Sequence, residues 1–496
     1  MVDVVLGVDV GTLSTKGLLV RLDGTVSATV VRQHELSTPR PGWAEHDAET
    51  IWWDEVVAVT RDLLAQCPDD RVVAVGASGI GPCVLPCDAD GMPLRQAILY
   101  GIDTRSTDEI DELTKAYGAD AIRRRCGSVL TTQAAGPKLA WVRHKEPEVW
   151  SATRSVHMSS SFLVHRLTGE YVLDHASASQ FTPLYDPTAK AWITEWADDV
   201  APGLALPRLA WPGEVVGTVT TAAAATTGLP EGTPVVAGSI DAWTESVSVG
   251  VKHPGDVMLM YGTTMFLIEV TESLRTWPTL WGTSGVLQGT YNLAAGMATS
   301  GAVTDWLRRV TGSSFEDLVD EARAVGPGAE GLLMLPYFAG ERTPLFDPDA
   351  RGVVAGITLR HGRAHLYRAA LEATAFGVRH NLEAMAEAGG HAARLVAVGG
   401  GTRGGLWTQI VSDVLGATQQ LPRNTVGAAY GDAILAAAGS GAVTEADTDA
   451  WNPIDHIVEP DPGTAETYDR LYALYRDLYP ATMDVTHALA ALQRDA

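Results

Sequence analysis

The densest chemistry in the chain lies close to its start, where Asp9-Val10-Gly11-Thr12-Leu13-Ser14-Thr15-Lys16 closes a β-branched run. A tight turn at Gly11-Thr12 lets backbone N–H groups come close to phosphate oxygens. The hydroxyls of Thr12, Ser14 and Thr15 add donors, and Lys16 adds positive charge. Asp9, at the strand end, is placed to hold a magnesium ion through water, because magnesium keeps several of its waters. An ordinary β-turn with polar tips would use the same residues. No Gly-Lys-Ser/Thr ending follows, so this is not a Walker loop.

A second reactive position is Asp241, which follows Gly238-Ser239 and opens a helical pattern. Such an aspartate can be an N-cap. It can also be a general base, since an alcohol is a poor nucleophile until a carboxylate accepts its proton. Phosphoryl transfer otherwise rests on positioning, a metal and charge neutralisation. Gly399-Gly400-Gly401-Thr402-Arg403-Gly404 has the spacing of a dinucleotide fingerprint after a strand. That reading wants an acid about 20 positions on, and Thr418-Gln419-Gln420-Leu421-Pro422 offers none. These glycines instead suit the adenosine end of a nucleotide lying against bare backbone. Gly76-Ala77-Ser78-Gly79-Ile80 lacks the final glycine of a hydrolase nucleophile elbow. The thirteen histidines make no metal-binding motif.

The elements that must position these residues are legible as punctuation. Val4 to Val10, Gly17 to Leu22 and Thr25 to Val31 read as an antiparallel meander, with Asp23-Gly24 as a hairpin turn. Val72 to Val75 is a strand leading into Gly76-Ala77-Ser78-Gly79, and helices fill roughly residues 105 to 170. Strand, Gly-Thr turn, strand then recurs: Asp256 to Tyr261, Gly262-Thr263-Thr264, Phe266 to Val270. This suggests two related halves. Leu395 to Val398 is a further strand before a helix from about Leu406 to Leu415. Tyr468, Tyr472, Tyr475 and Tyr479 stripe one face of a late helix, as core packing.

The chain has 496 residues, 46% hydrophobic and 19% charged, with a formal net charge of −24. That length calls for two large domains. The acidic balance argues against nucleic acid and anionic membrane as partners, though not against ATP. Cys67, Cys83, Cys87 and Cys126 lack Cys-x-x-Cys spacing and read as unpaired buried thiols of a reducing compartment. The opening residues have no basic region before their apolar run, and no uninterrupted apolar stretch is long enough to span a bilayer. A cytoplasmic location is expected.

Together the motifs resemble the FGGY carbohydrate kinases, within the wider actin and hexokinase ATPase architecture. Asp9-Val10-Gly11-Thr12 with Ser14-Thr15-Lys16 looks like the family's first phosphate motif. Gly42-Trp43-Ala44-Glu45-His46-Asp47 with Trp52-Trp53, and Asp88-Ala89-Asp90-Gly91 through Asp103-Thr104-Arg105, resemble its next blocks. Lys138-Leu139-Ala140-Trp141 is similar to the first family signature, although Ala135 stands where a small polar residue or proline is usual. The run from Gly352 through Gly356-Ile357 to Leu371-Glu372 fits the second signature, and Gly399-Gly400-Gly401 with Leu406-Trp407 looks like the adenosine block.

The resemblance implies an α/β, two-domain actin/hexokinase-like fold with ribonuclease H-like cores and a central cleft. The sugar side would be residues 1–245 and the nucleotide side 246–496. It implies ATP and Mg2+ as cofactors and a small sugar or polyol as substrate; a homodimer is compatible with it. Asp241 would be the base and Asp9 the magnesium residue. Gly11, Thr12, Ser14, Thr15 and Lys16 would meet one phosphate region and Gly262, Thr263 and Thr264 the other. Gly301, Asp305, Gly400, Gly401 and Gly404 would face the nucleotide. Gly81, Pro82, Asp103 and Asp241 would face the sugar.

The overall pattern is xylulokinase-like, but Ile80-Gly81-Pro82-Cys83 replaces that branch's Gln-Met-His-Gly, and Tyr100-Gly101-Ile102-Asp103-Thr104-Arg105 is one residue longer. A pocket rebuilt in this way can select another ketose, a tetrose or a polyol. More distant alternatives are a sugar-independent actin-like ATPase and a dinucleotide-binding oxidoreductase.

Overall fold

The computed structural model describes residues 2–494. They divide into two units. The first holds the residues up to Lys252, with Thr271–Asn292 and Val426–Pro453. The second holds His253–Val270, Leu293–Thr425 and the residues from Ile454 onward. The sequence-level boundary near residue 245 lies close to the first crossing, and two later segments return to the first unit.

Apolar, β-branched runs build the first unit's sheet. Its strands are β1 (Val2–Val10), β2 (Ser14–Arg21), β3 (Val26–Gln33), β4 (Asp70–Gly79), β5 (Val215–Thr218), β6 (Pro234–Val236) and β7 (Ser239–Ile240). The order is β5-β6-β4-β1-β2-β3, with β7 also on β4. β1 to β3 form the expected meander. Asp23-Gly24 turns it: the Thr25 N–H donates to Asp23 Oδ1 at 2.9 Å, and Gly24 takes a φ of 85°.

Strand β4 runs further than the sequence suggested. Gly76-Ala77-Ser78-Gly79, which follows the expected strand Val72 to Val75, is strand as well, because β1 pairs it residue for residue and places Ser78 opposite Asp9. The helix Ala428–Gly439 lies directly on this sheet. A Cβ on Gly76 would sit 2.3 Å from the Asp432 carbonyl oxygen, so only glycine permits that approach. The same helix meets the helix Asp241–Ser248, where a Cβ on Gly431 would sit 1.9 Å from the Thr244 carbonyl oxygen.

The main sheet of the second unit includes β8 (Asp256–Tyr261), β9 (Met265–Thr271), β10 (Tyr291–Met297), β11 (Arg394–Val398), β12 (Gln419–Pro422) and β13 (Ile454–Val458), in the order β10-β9-β8-β11-β12-β13, with Trp281–Ser284 as a seventh strand beside β10. β8 is antiparallel to β9 and parallel to β11, just as β1 is antiparallel to β2 and parallel to β4. This shared plan is the repeat expected from the two Gly-Thr turns.

The tyrosine stripe belongs to the helix Ala465–Arg494. Tyr468, Tyr472 and Tyr475 are buried there, and Tyr468 accepts a hydrogen bond from Arg368 at 2.6 Å. All four cysteines are free thiols; three are buried and Cys67 is half-buried. Among the described residues, no helix is long and apolar enough to cross a membrane.

Candidate functional site

The first Gly-Thr turn connects β1 and β2, the Gly11 N–H donating to the Ser14 carbonyl at 2.9 Å. Two histidines support it. His34 Nε2 lies 3.1 Å from the Gly11 carbonyl oxygen and His46 Nε2 lies 3.2 Å from that of Thr12. Trp52 Nε1–H donates to His46 Nδ1, so the His46 hydrogen sits on Nε2 and points at Thr12. Burial lowers the His46 pKa to about 4, which keeps the ring neutral. The side chains of Thr12, Ser14 and Lys16 are half-buried at this turn, with Thr12 Oγ1 3.1 Å from the Tyr100 hydroxyl.

Thr15 does not join them. Successive side chains in a strand point to opposite faces, and in β2 this turns Thr15 into the core, where its hydroxyl is fully enclosed. The expectation that it donates to phosphate is corrected on that ground.

Beside the turn lies a set of carboxylates. Asp9 ends β1, and its Oδ1 lies 3.2 Å from Ser78 Oγ. Burial raises its pKa, opposed by Ser78 and by the positive charge of Lys16. Asp241 is the first residue of its helix, with Ile240 at the cap, so it is not the N-cap; its Oδ1 accepts from the Ala242 N–H at 2.7 Å. Burial and then Asp9 push the Asp241 carboxyl well up, and Glu245 adds to this. Glu245 itself is pushed up to about 7 by burial and by Asp9, with Lys16 opposing. A Cβ on Gly427 would lie 3.8 Å from both Glu245 Oε2 and Lys16 Nζ, which puts that acid and that amine next to the same residue. Lys16 Nζ also donates to the Val426 carbonyl at 2.7 Å.

Sequence reasoning singled out Asp9 and Asp241 here but missed Glu245, Ser78 and Asp432. Glu245 had a signal: it follows Asp241 by four residues, one turn along the same helix. Asp432 had none, because only the fold brings it to Ser78.

The sugar-side expectations divide. Cys83 is buried within the field of Asp241, and burial raises its thiol pKa. Gly81 and Pro82 lie just before it, with a Cβ on Gly81 meeting Ile240 at 2.5 Å. Lys138 is fully buried, donates to the Thr132 carbonyl, and has its pKa lowered to about 8 by burial, against the pull of Asp103.

Asp103 itself is occupied. Its Oδ2 accepts from the Ala44 N–H at 2.7 Å and from Arg105 Nη2 at 2.7 Å, and its Oδ1 accepts from the Arg105 N–H and Nε. Arg105 in turn reaches Glu45 at 2.7 Å and stacks over Trp43 at 3.9 Å. With its lone pairs engaged inside a buried ion pair, Asp103 braces the loop; a direct sugar contact is corrected.

The second unit holds a cavity of about 610 Å³. Gly262, Thr263, Gly301, Asp305, Gly400 and Gly401 all line it. Thr264 and Gly404 do not: Thr264 uses its carbonyl to close the turn on the Gly262 N–H, and Gly404 lies beyond the bend after Gly401. The lining also includes Phe315, Val319, Tyr367, Leu371, Leu406 and Trp407. Bare glycine backbone together with apolar side chains suits a flat heteroaromatic base.

Comparison with known proteins identifies the family of the chain. The N-terminal domain model of the FGGY family of carbohydrate kinases matches residues 4–247 and the C-terminal domain model matches residues 257–440. The chain is similar to a xylulose kinase of Staphylococcus epidermidis, 28% identical and covering 99% of both chains. It is also similar to a glycerol kinase of Nocardia farcinica, 32% identical over 77% of this chain and 78% of that one. Among solved structures, a xylulose kinase from Rhodospirillum rubrum superimposes with a TM-score of 0.90 at 35% identity, covering 98% of this chain and all of that one. Two domain models that together span most of the sequence make this chain a member of the FGGY family of carbohydrate kinases, enzymes that phosphorylate a sugar or polyol hydroxyl at the expense of ATP.

Proposed function

We propose that the chain phosphorylates a pentulose such as xylulose, with Asp241 as the general base. The observation that carries this is the placement of Asp241 at the start of a helix, half-buried, beside Asp9 and Glu245 and close enough to Cys83 to act on its thiol. A carboxylate whose proton affinity is raised by burial and by like charges is suited to take a proton from an alcohol near neutral pH. Relatives named as xylulose kinases favour the pentulose.

Thr12, Ser14 and Lys16 would orient the transferred phosphoryl group, and the cavity of the second unit would hold the adenosine end. Asp9 is the residue that fits a magnesium ion. Asp9, Asp241 and Glu245 outnumber Lys16, and a divalent cation would offset that surplus charge. No cluster of three such side chains among the described residues could hold a metal alone, which suits an ion that keeps waters and phosphate oxygens as ligands. Bound there, the ion supplies charge neutralisation to the phosphates. An ATP-consuming kinase of this kind would work in the cytoplasm, where ATP is made.

A second reading is a kinase for a tetrose or a different polyol. Gly81 and Pro82 offer no polar side chain, and the Cys83 thiol is engaged by the Ile80 carbonyl at 3.3 Å. A substrate hydroxyl directed there would be left without a partner, which penalises it strongly. A coupled ADP-release screen over ketopentoses, aldoses, tetroses and polyols decides the matter. A xylulose kcat/KM at least matching every other acceptor supports the first reading, and a higher value for a tetrose or polyol replaces it with the second.

A further inference from the structure

Ser78 stands between two carboxylates. Its Oγ is 2.5 Å from Asp432 Oδ2 and 3.2 Å from Asp9 Oδ1. Ser78 and Asp432 are both completely buried, and Asp432 Oδ1 has no hydrogen-bond partner among the described residues. The helix that carries Asp432 can reach this depth because glycines face it: Gly76 on the sheet below, with Gly431 of the helix itself giving way to Thr244 of the Asp241 helix. The fold therefore goes to some length to put an acid under Asp9, although a buried charge with no cation to pair it is costly.

We infer that Asp432 is a positioning residue for phosphoryl transfer, holding Ser78 and, through its hydroxyl, the carboxylate of Asp9. Counting hydrogens fixes how. A serine hydroxyl has one hydrogen and can donate to only one of two carboxylates. If both acids were ionised, one would face the hydroxyl's lone pairs, and Asp432 would be a sealed anion near the anions Asp9 and Asp241.

If Asp432 holds the proton, every contact has a donor. The Asp432 carboxyl donates to Ser78 Oγ, and the Ser78 hydroxyl donates to Asp9 Oδ1, which fixes the orientation of the Asp9 carboxyl group. Burial first, and then Asp9 from β1 and Asp241 from its helix, disfavour a negative charge on Asp432, while its hydrogen bonds with Ser78 oppose them. No hydrogen bond joins Asp432 to Asp9 directly; Ser78 is the link.

The inference rests on the kinase reading for its consequence but not for its geometry, and the test separates the two. In the full-length enzyme, Asp432→Ala is expected to lower kcat by about tenfold or more, since small misplacements of reacting groups are that costly. The KM for the acceptor alcohol should stay within about twofold, because the sugar contacts are untouched. Asp432→Asn, whose amide can donate to Ser78 without charge, should recover most of that loss. Ser78→Ala keeps both acids and breaks the link, so it should lose kcat as Asp432→Ala does, and it stands in if the alanine variant fails to fold.

Unchanged kcat in Asp432→Ala, or in Ser78→Ala, overturns the positioning role. The proton is read without turnover, from the infrared difference between wild type and Asp432→Asn at pH 7. A protonated-carboxyl stretch lost in the variant supports a hydrogen on Asp432 and the chain of donors from it to Asp9. Loss of an ionised-carboxylate band instead overturns it, whatever the acceptor screen finds.

Discussion

Glu245 follows Asp241 by one turn of the same helix, and its negative charge adds to burial and to Asp9 in holding the Asp241 carboxyl well above the ordinary carboxylate range. Like charges held together cannot all ionise at their usual pH, and the protons come off the set rather than off single residues. The cluster therefore raises the proton affinity of Asp241, the acid proposed above as the base. Lys16 is the cation that limits the effect, since it opposes the rise at both Asp9 and Glu245.

Replacing Asp241 by asparagine keeps the shape and removes the base. A general base contributes about 10²- to 10⁴-fold, and kcat should fall by that order in an ADP-release assay with saturating sugar. ATP binding, followed by calorimetry, should persist, because the glycine-lined cavity belongs to the other unit. Turnover near the wild-type rate would remove Asp241 from this role.

The charge set also predicts a pH dependence. The base acts only when ionised, so a raised pKa moves the acid limb of kcat/KM above the value of about 4 expected for a free carboxylate. Glu245→Gln deletes one like charge. The Asp241 carboxyl then ionises more easily, and the acid limb should shift to lower pH. A limb that stays in place or moves to higher pH would show that Glu245 does not act on the base.

Asp103 separates bracing from binding. Arg105 is wholly buried, and Asp103 and Glu45 are its partners. Asp103→Asn should cost about 1–3 kcal/mol of stability, because it removes one of the two charged partners of a buried guanidinium, seen as a lower midpoint in urea unfolding. A variant of normal stability with a raised sugar KM would return Asp103 to the substrate.

What the sequence showed well was local. β-branched runs, glycine turns and the tyrosine stripe each depend on neighbours a few residues away, and the strands and helices formed where those patterns lay. Thr15 was in reach of the same logic: Ser14 and Lys16 share a strand face, so the residue between them must point the other way. Asp103 was harder, because an aspartate before an arginine reads as two charged residues until burial makes them one ion pair. Asp432 was out of reach. It lies 354 positions from Ser78, in a helix whose sequence, Ala428-Ala429-Tyr430-Gly431-Asp432, has no feature that marks a site. Long-range pairing of this kind is a property of the packed helix and sheet, and no local period reports it.

The two glycines Gly301 and Gly404 test the nucleotide cavity against each other. The Gly301 N–H donates to the Gly262 carbonyl at 3.0 Å, and the Ser300 and Ala302 N–H groups both donate to the Thr263 carbonyl. The second Gly-Thr turn is thus clamped onto the start of the helix Gly301–Thr311. A Cβ on Gly301 would lie 2.5 Å from the Gly262 oxygen, so Gly301→Ala has to push the turn away from its position in the cavity. Gly404 sits at a φ of 81° but outside that cavity. Gly404→Ala should therefore cost about 1 kcal/mol of stability through backbone strain and leave the KM for ATP unchanged. Gly301→Ala should raise that KM by about tenfold, a displacement effect, while the sugar KM stays put. Equal ATP affinities in the two variants would mean that the turn at Gly262 does not meet the nucleotide.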